Sequence, residues 1–331
     1  MRENKQLTGD QMLLDTPLWR QTPPAAFPVC LGFMSLALGW TNASHIMPAI
    51  SEDIGHLLLA ASTGYFIWFL AFYLRKILSR PKVVLEDMQT APARAGIAAM
   101  AMAMMLLAAA LLPFGISVPL VWWTGVVLQI IASVVVLHAI WDEPPEKRHF
   151  STFQYLTFVG PVVGPIAGVP LGYIWESKVL IDAALVAYVI VTAGIILTIR
   201  RDPIPAQLRP SVMIFLAPLC LFALGYGTLG YDTAFTLFYW AGSVVALGLL
   251  LLVPWMTRGG YTPVWGAFTF PIAAFLNVQV MAVAKGHGIL AVTGVYAGLA
   301  IGTPVILYMV YRTIMEWVTG DLAKKSNAAT A

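Results

Sequence analysis

The chain has 331 residues, 59% of them hydrophobic and only 11% charged, with a formal net charge of +3. So few charges leave too little polar surface to coat a soluble globule of this length, and the slight positive balance gives no reason to expect nucleic acid as a partner. The composition is that of a polytopic membrane protein.

Crossing about 30 Å of hydrocarbon takes roughly 20 apolar residues. Ten such runs predict spans at 27–47, 56–74, 95–112, 118–140, 153–174, 179–199, 211–230, 233–256, 264–284 and 289–311. Residues 1–26 are polar, lack the apolar core of a signal peptide and read as a tail. Residues 27–311 then form one transmembrane domain, and 312–331 a second tail. With the N-terminus inside, 17 of the 19 Lys and Arg residues fall on the inner side, leaving only Lys178 and Lys285 outside. That asymmetry predicts an even number of spans with both termini in the cytoplasm. The short connections suggest a bacterial inner membrane.

The spans alternate in character. Pro28 lies in the first, Pro161, Pro165 and Pro170 in the fifth, Pro218 in the seventh and Pro271 in the ninth, while the third ends at Pro113. Even spans are smoother, with runs such as GVVLQIIASVVVLHAI at 125–140. Unbroken aliphatic surfaces suit lipid, whereas breaks at membrane depth are tolerated where protein or a water-filled cavity surrounds them. The layout expected is all-α: five helical hairpins, with kinked odd spans as an inner ring around a pore and even spans as an outer ring.

In the fifth span, Gly160, Gly164, Gly168 and Gly172 recur every four residues and drift only about 40° per step around a helix. A stripe without side chains is either a seam where a neighbouring helix approaches closely or an open wall of a pore. Both readings can hold on different turns.

The middles of the odd spans contain no Asp, Glu, Lys, Arg or His. Proton- or ion-coupled pumps keep such residues there for function, so a driven pump is disfavoured. No nucleophile, acid–base pair or metal-ligand spacing points to an enzyme or a cofactor: Cys30 and Cys220 stand alone within spans, and the five histidines are scattered. An uncharged pore binds an ion weakly and releases it quickly, as conduction requires.

Three stretches carry a resemblance: FPVCLGFMSLALGW (27–40), PSVMIFLAPLCLFALGY (210–226) and above all VWGAFTFP (264–271). They resemble the tellurite-resistance/dicarboxylate transporter family, which includes bacterial TehA, the yeast malic acid transporter and the plant guard-cell slow anion channel. The resemblance implies a homotrimer with one pore per protomer and a ninth helix whose aromatic ring blocks that pore. The matching residues are Phe268, Thr269, Phe270 and Pro271, with Phe270 as the gate, Thr269 and Pro271 as its support and Phe268 facing outward. Phe33 is placed to reach the axis as a second ring. The remaining pore-lining candidates are Pro28, Gly160, Pro161, Gly164, Pro165, Gly168 and Pro218. The function expected is a passive channel for small anions such as chloride or nitrate. The alternative is a carrier for C4-dicarboxylates or for tellurite and other oxyanions.

Overall fold

The computed structural model describes residues 16–142 and 150–331, and the described residues contain helices and no strand. Arg2, Lys5, Lys147, Arg148 and His149, which enter the sequence arguments, lie outside them. The α-helices are α1 (Phe27–Ile46), α2 (Glu52–Ser79), α3 (Val83–Asp87), α4 (Ala91–Leu111), α5 (Pro119–Asp142), α6 (Gly164–Gly168), α7 (Ile174–Arg201), α8 (Leu216–Thr228), α9 (Asp232–Met256), α10 (Thr269–Ala284), α11 (Ile289–Val318) and α12 (Asp321–Lys325).

Among the described residues, nine helical stretches are long and apolar enough to cross a membrane. They match nine of the ten predicted runs, with longer ends: α2 extends beyond 56–74 at both ends, and α11 runs past 311 to Val318. The fifth run differs. Its apolar helical part, Tyr155–Gly168, is short and changes winding twice, from a π-turn at Tyr155–Val159 to a 3-10 turn at Gly160–Val163 and then to α6.

Proline chemistry explains the interruption. Pro161 and Pro165 have no N–H to return to carbonyls one turn earlier. In a membrane unpaired carbonyls need other partners, and α5 supplies them to Thr157, one turn before Pro161, and to Leu156 and Gly164 nearby. The Gln129 amide nitrogen donates to the Leu156 and Thr157 carbonyls at 2.9 and 2.7 Å. The Ser133 hydroxyl also reaches the Thr157 carbonyl at 2.7 Å, and the Trp122 indole N–H donates to the Gly164 carbonyl at 3.0 Å.

At the other inner segments the prolines start helices rather than kink them. Pro28, Pro92, Pro218 and Pro271 each occupy the second or third residue of an α-helix, where no intrahelical N–H bond is lost. Before α1, α8 and α10 the chain winds as a 3-10 helix, at Pro24–Ala26, Ala206–Phe215 and Pro263–Phe268. The kink expected in these spans is thus a change of winding.

Burial sorts the stretches into two classes. The four containing α1, α4, α8 and α10 are 67–83% buried, whereas those of α2, α5, α7, α9 and α11 are 17–33% buried. Outward side chains such as Leu78, Leu120, Val186, Leu251 and Leu290 are exposed, as suits a lipid-facing surface. Within the buried set, α1 packs on α4, α4 on the interrupted segment, that segment on α8, α8 on α10, and α10 back on α1. The alanines of α4 permit this: Ala98, Ala99, Ala101, Ala103 and Ala108 are almost wholly buried.

At the face where both described ends of the chain lie, Lys76 and Asp87 form a fully buried ion pair at 2.9 Å. Lys76 also donates to the Thr22 carbonyl at 3.1 Å, Tyr73 donates to Asp87 at 3.2 Å, and the Ala329 amide donates to the other Asp87 oxygen at 2.8 Å. One carboxylate thus fastens α2, α3, the segment before α1 and the segment after α12. We call this the termini face and its opposite the far face.

Candidate conduction pathway

The start of α10 is clamped to α1. Thr269 is fully buried, and its hydroxyl, 2.7 Å from the Gly266 carbonyl and 3.1 Å from that of Pro28, donates to this pair. Opposite it stands Gly32, where a Cβ would overlap the Thr269 side chain and come within 2.8 Å of the Phe270 nitrogen. Only a glycine lets the two backbones approach this closely. Pro271 lies two residues after the change from 3-10 to α winding, in the first turn of α10, where its ring fixes the backbone and its missing N–H costs no bond. The base of Phe270 is therefore held on one side by α1 and on the other by the proline turn.

Two cavities approach Phe270. On the termini face, one of about 390 Å³ is bounded by Pro28 and Leu31 of α1, Met102 of α4, Leu156 and Gly160 of the interrupted segment, Pro218 of α8, and α10. From the far face, a second of about 470 Å³ is bounded by Ser35 and Asn42 of α1, Leu106 of α4, Ile166 of α6, Leu224 of α8 and Asn277 of α10. Phe270 and Leu221 line both. The partition between the cavities thus includes a phenyl ring on α10 and an isobutyl group on α8, and Phe270 is only 6% exposed.

The lining is mostly apolar, and among the described residues it carries no carboxylate. Among the described residues, the termini-face cavity has one charged side chain, Lys325, and the far cavity has one ionisable side chain, His45. The polar groups of the far cavity are tied into the wall: the Asn277 amide donates to the Ser35 and Ala273 carbonyls at 2.8 and 2.9 Å, and Asn42 approaches Asn277 at 3.5 Å. Among the described residues no group of three or more His, Cys, Asp or Glu side chains is placed to hold a metal ion.

Of the residues singled out in the sequence, Pro28, Gly160, Pro218, Phe270 and Pro271 line the termini-face cavity. Thr269 lines neither cavity and acts as the tie to α1. Phe268 points away from both, into an apolar groove of about 860 Å³ between α9 and α11, with its ring 5.7 Å from that of Trp265.

Phe33 does not reach the axis: its ring packs edge-on to Tyr65 of α2, 6.0 Å away. Pro161, Gly164, Pro165 and Gly168 line neither cavity. Their surroundings explain why. A Cβ on Gly164 would meet Leu180, one on Gly168 would meet Ser177 and Trp122, and Pro165 packs beside Gly225 of α8. At Gly164 and Gly168 the glycine stripe is a packing seam against α5 and α7. Gly160 does both, since a Cβ there would strike the Gln129 amide while the residue also borders the cavity.

Leu221, His45 and Lys325 are not among the pore residues that the sequence picks out. Nothing in their local sequence marks them, because their roles arise from elements far apart in the chain.

The family model of the voltage-dependent anion channels matches residues 21–314. The chain belongs to that family. It is the same family that the stretches at 27–40, 210–226 and 264–271 resemble. The match runs from just before the first span into the last, so it takes in the interrupted segment and α1, α4, α6, α8 and α10, while Lys325, Ser326 and Asn327 at the termini-face cavity lie beyond it. Voltage-dependent anion channel membership makes the chain a multi-pass membrane protein of an anion channel and transporter family rather than an enzyme. No individual curated protein matches it.

Proposed function

We propose that the chain is a passive channel for small monovalent anions, chloride or nitrate, whose pathway runs through its own interior between α1, α4, the interrupted segment, α8 and α10. The observation that carries this reading is that two cavities meet at Phe270 and Leu221, which line both, and that among the described residues no carboxylate lines either of them. Phe270 is the gate. Its ring excludes water by bulk and apolarity, so an anion meets a dewetted constriction until the ring turns aside. Thr269 and Pro271 fix the base from which the ring turns. A dianion carrier is less well supported, because nothing in the partition could pair with two negative charges in a low dielectric.

In this reading the five buried segments form a ring around the pathway and the exposed helices form an outer ring. The termini face is cytoplasmic, on the bias of Lys and Arg toward it, and the membrane is a bacterial inner membrane. Three protomers assemble with one pathway each.

The test is current recording in planar bilayers on the unaltered protein beside Phe270→Ala, in chloride, nitrate and malate. A large, anion-selective, nearly ohmic current in the alanine form, with little in the parent, supports the channel. Silence in both, together with saturable uptake of labelled dicarboxylate, assigns the chain to the carriers instead.

A further inference from the structure

The end of α12 and the residues that follow it border the termini-face cavity. Lys325, Ser326 and Asn327 line the termini-face cavity, and among the described residues Lys325 is its single charged side chain. The segment is held on both sides of that mouth. Leu322 and Ala323 are buried, the Ala329 amide is bound by Asp87 at 2.8 Å, and Arg80 donates to the Thr330 carbonyl at 2.6 Å. Residue 325 therefore has a fixed backbone at the opening, while its four-carbon side chain is 42% exposed and able to move.

The charges around it do not cancel. Glu316, nearly buried, accepts from Lys325 at 2.6 Å and from Arg312 at 3.2 Å through the same oxygen. Two cations share one carboxylate, so this trio carries a net charge of +1. Among the described residues, the far cavity has His45 as its one ionisable side chain.

We propose that Lys325 is the entry-site cation of the pathway: it draws inorganic monovalent anions from the termini face into the cavity and hands them toward Phe270. This inference rests on the channel reading above. Glu316 keeps the ammonium at the mouth and yields it when an anion arrives. A unit charge in a wet mouth about 7 Å from the ion raises the local anion population about threefold at low salt, and screening removes most of that at 1 M. The polarity is built in, because among the described lining residues such a charge stands at one end of the pathway.

The experiment uses Phe270→Ala as the conducting background, with chloride on the termini face varied from low to high. Adding Lys325→Gln is expected to cut chloride flux leaving that face about threefold at low salt and much less at 1 M, with flux from the far face changed less. Lys325→Arg should retain the parent behaviour. In Phe270→Ala/Lys325→Cys, a positively charged methanethiosulfonate should restore the flux and a negatively charged one should depress it further. Cys30 and Cys220 are buried and do not compete for the reagents. Equal flux in Lys325→Gln, or the same effect from both reagents, overturns the proposal while leaving the channel intact. No anion current in Phe270→Ala alone removes the channel reading and this inference with it.

Discussion

Replacing Gln129 with leucine removes the side chain that stands in for the missing backbone donors of the interrupted segment. Gln129 is fully buried, and its amide nitrogen serves two carbonyls, at 2.9 and 2.7 Å. Ser133 still covers the Thr157 carbonyl, so the substitution orphans the Leu156 carbonyl. An orphaned buried acceptor costs about 1–3 kcal/mol. The Gln129 side-chain oxygen is itself buried without a partner, and losing it returns part of that cost. The expected net destabilisation is about 1–2 kcal/mol, with leucine of similar volume adding little. Restoring an N–H through Pro161→Ala lets the segment wind further as an α-helix and satisfy its own carbonyls. Gln129→Leu should then cost about 1 kcal/mol less in that background than alone. The assay is reversible unfolding of the purified protein in lipid–detergent micelles for the four members of the cycle. A single-mutant cost within about 0.3 kcal/mol of zero, or strict additivity in the cycle, would refute the claim that α5 supplies the missing donors.

Leu221→Ala removes the other half of the partition and should raise anion current in bilayers, but by less than Phe270→Ala, since the ring stays in place; a current equal to the parent's would show that α8 takes no part in the barrier. Lys76→Met leaves Asp87 buried without its cation and is expected to cost about 3–5 kcal/mol. That loss would appear as a lowered unfolding midpoint and poor recovery from membranes, and a midpoint unchanged from the parent would show that the pair holds nothing together.

The architecture was legible where it depends on one physical variable, the length of apolar runs against bilayer thickness. The division into buried and exposed helices was also legible, because prolines and small residues collect in segments that other protein must surround. The meaning of the prolines was not. Pro28, Pro218 and Pro271 look like kinks in a linear reading, yet each falls in the first turn of a helix, and where a helix begins is decided by its neighbours. Phe33 and Phe270 show the same limit. Both are phenylalanines in buried spans, but one meets Tyr65 and the other divides two cavities. The direction of a helix face depends on partners hundreds of residues away, as with Thr269 and the Pro28 carbonyl. Lys325 lay beyond the last predicted span, where nothing in its neighbours says that the chain turns back under the mouth.

The partition has an electrical consequence. In the channel reading proposed above, cavities of about 390 and 470 Å³ admit both aqueous phases deep into the protein, with Phe270 and Leu221 bordering both. A membrane potential falls mostly across the least polarisable layer, so the roughly 30 Å over which it would otherwise spread contracts to the thickness of a side chain. An anion stepping past the ring then gains nearly the whole drop at once, about 2.3 kcal/mol per 100 mV. The field is strongest at the one place where the pathway is narrowest, and the energy that drives the ion is delivered at its barrier.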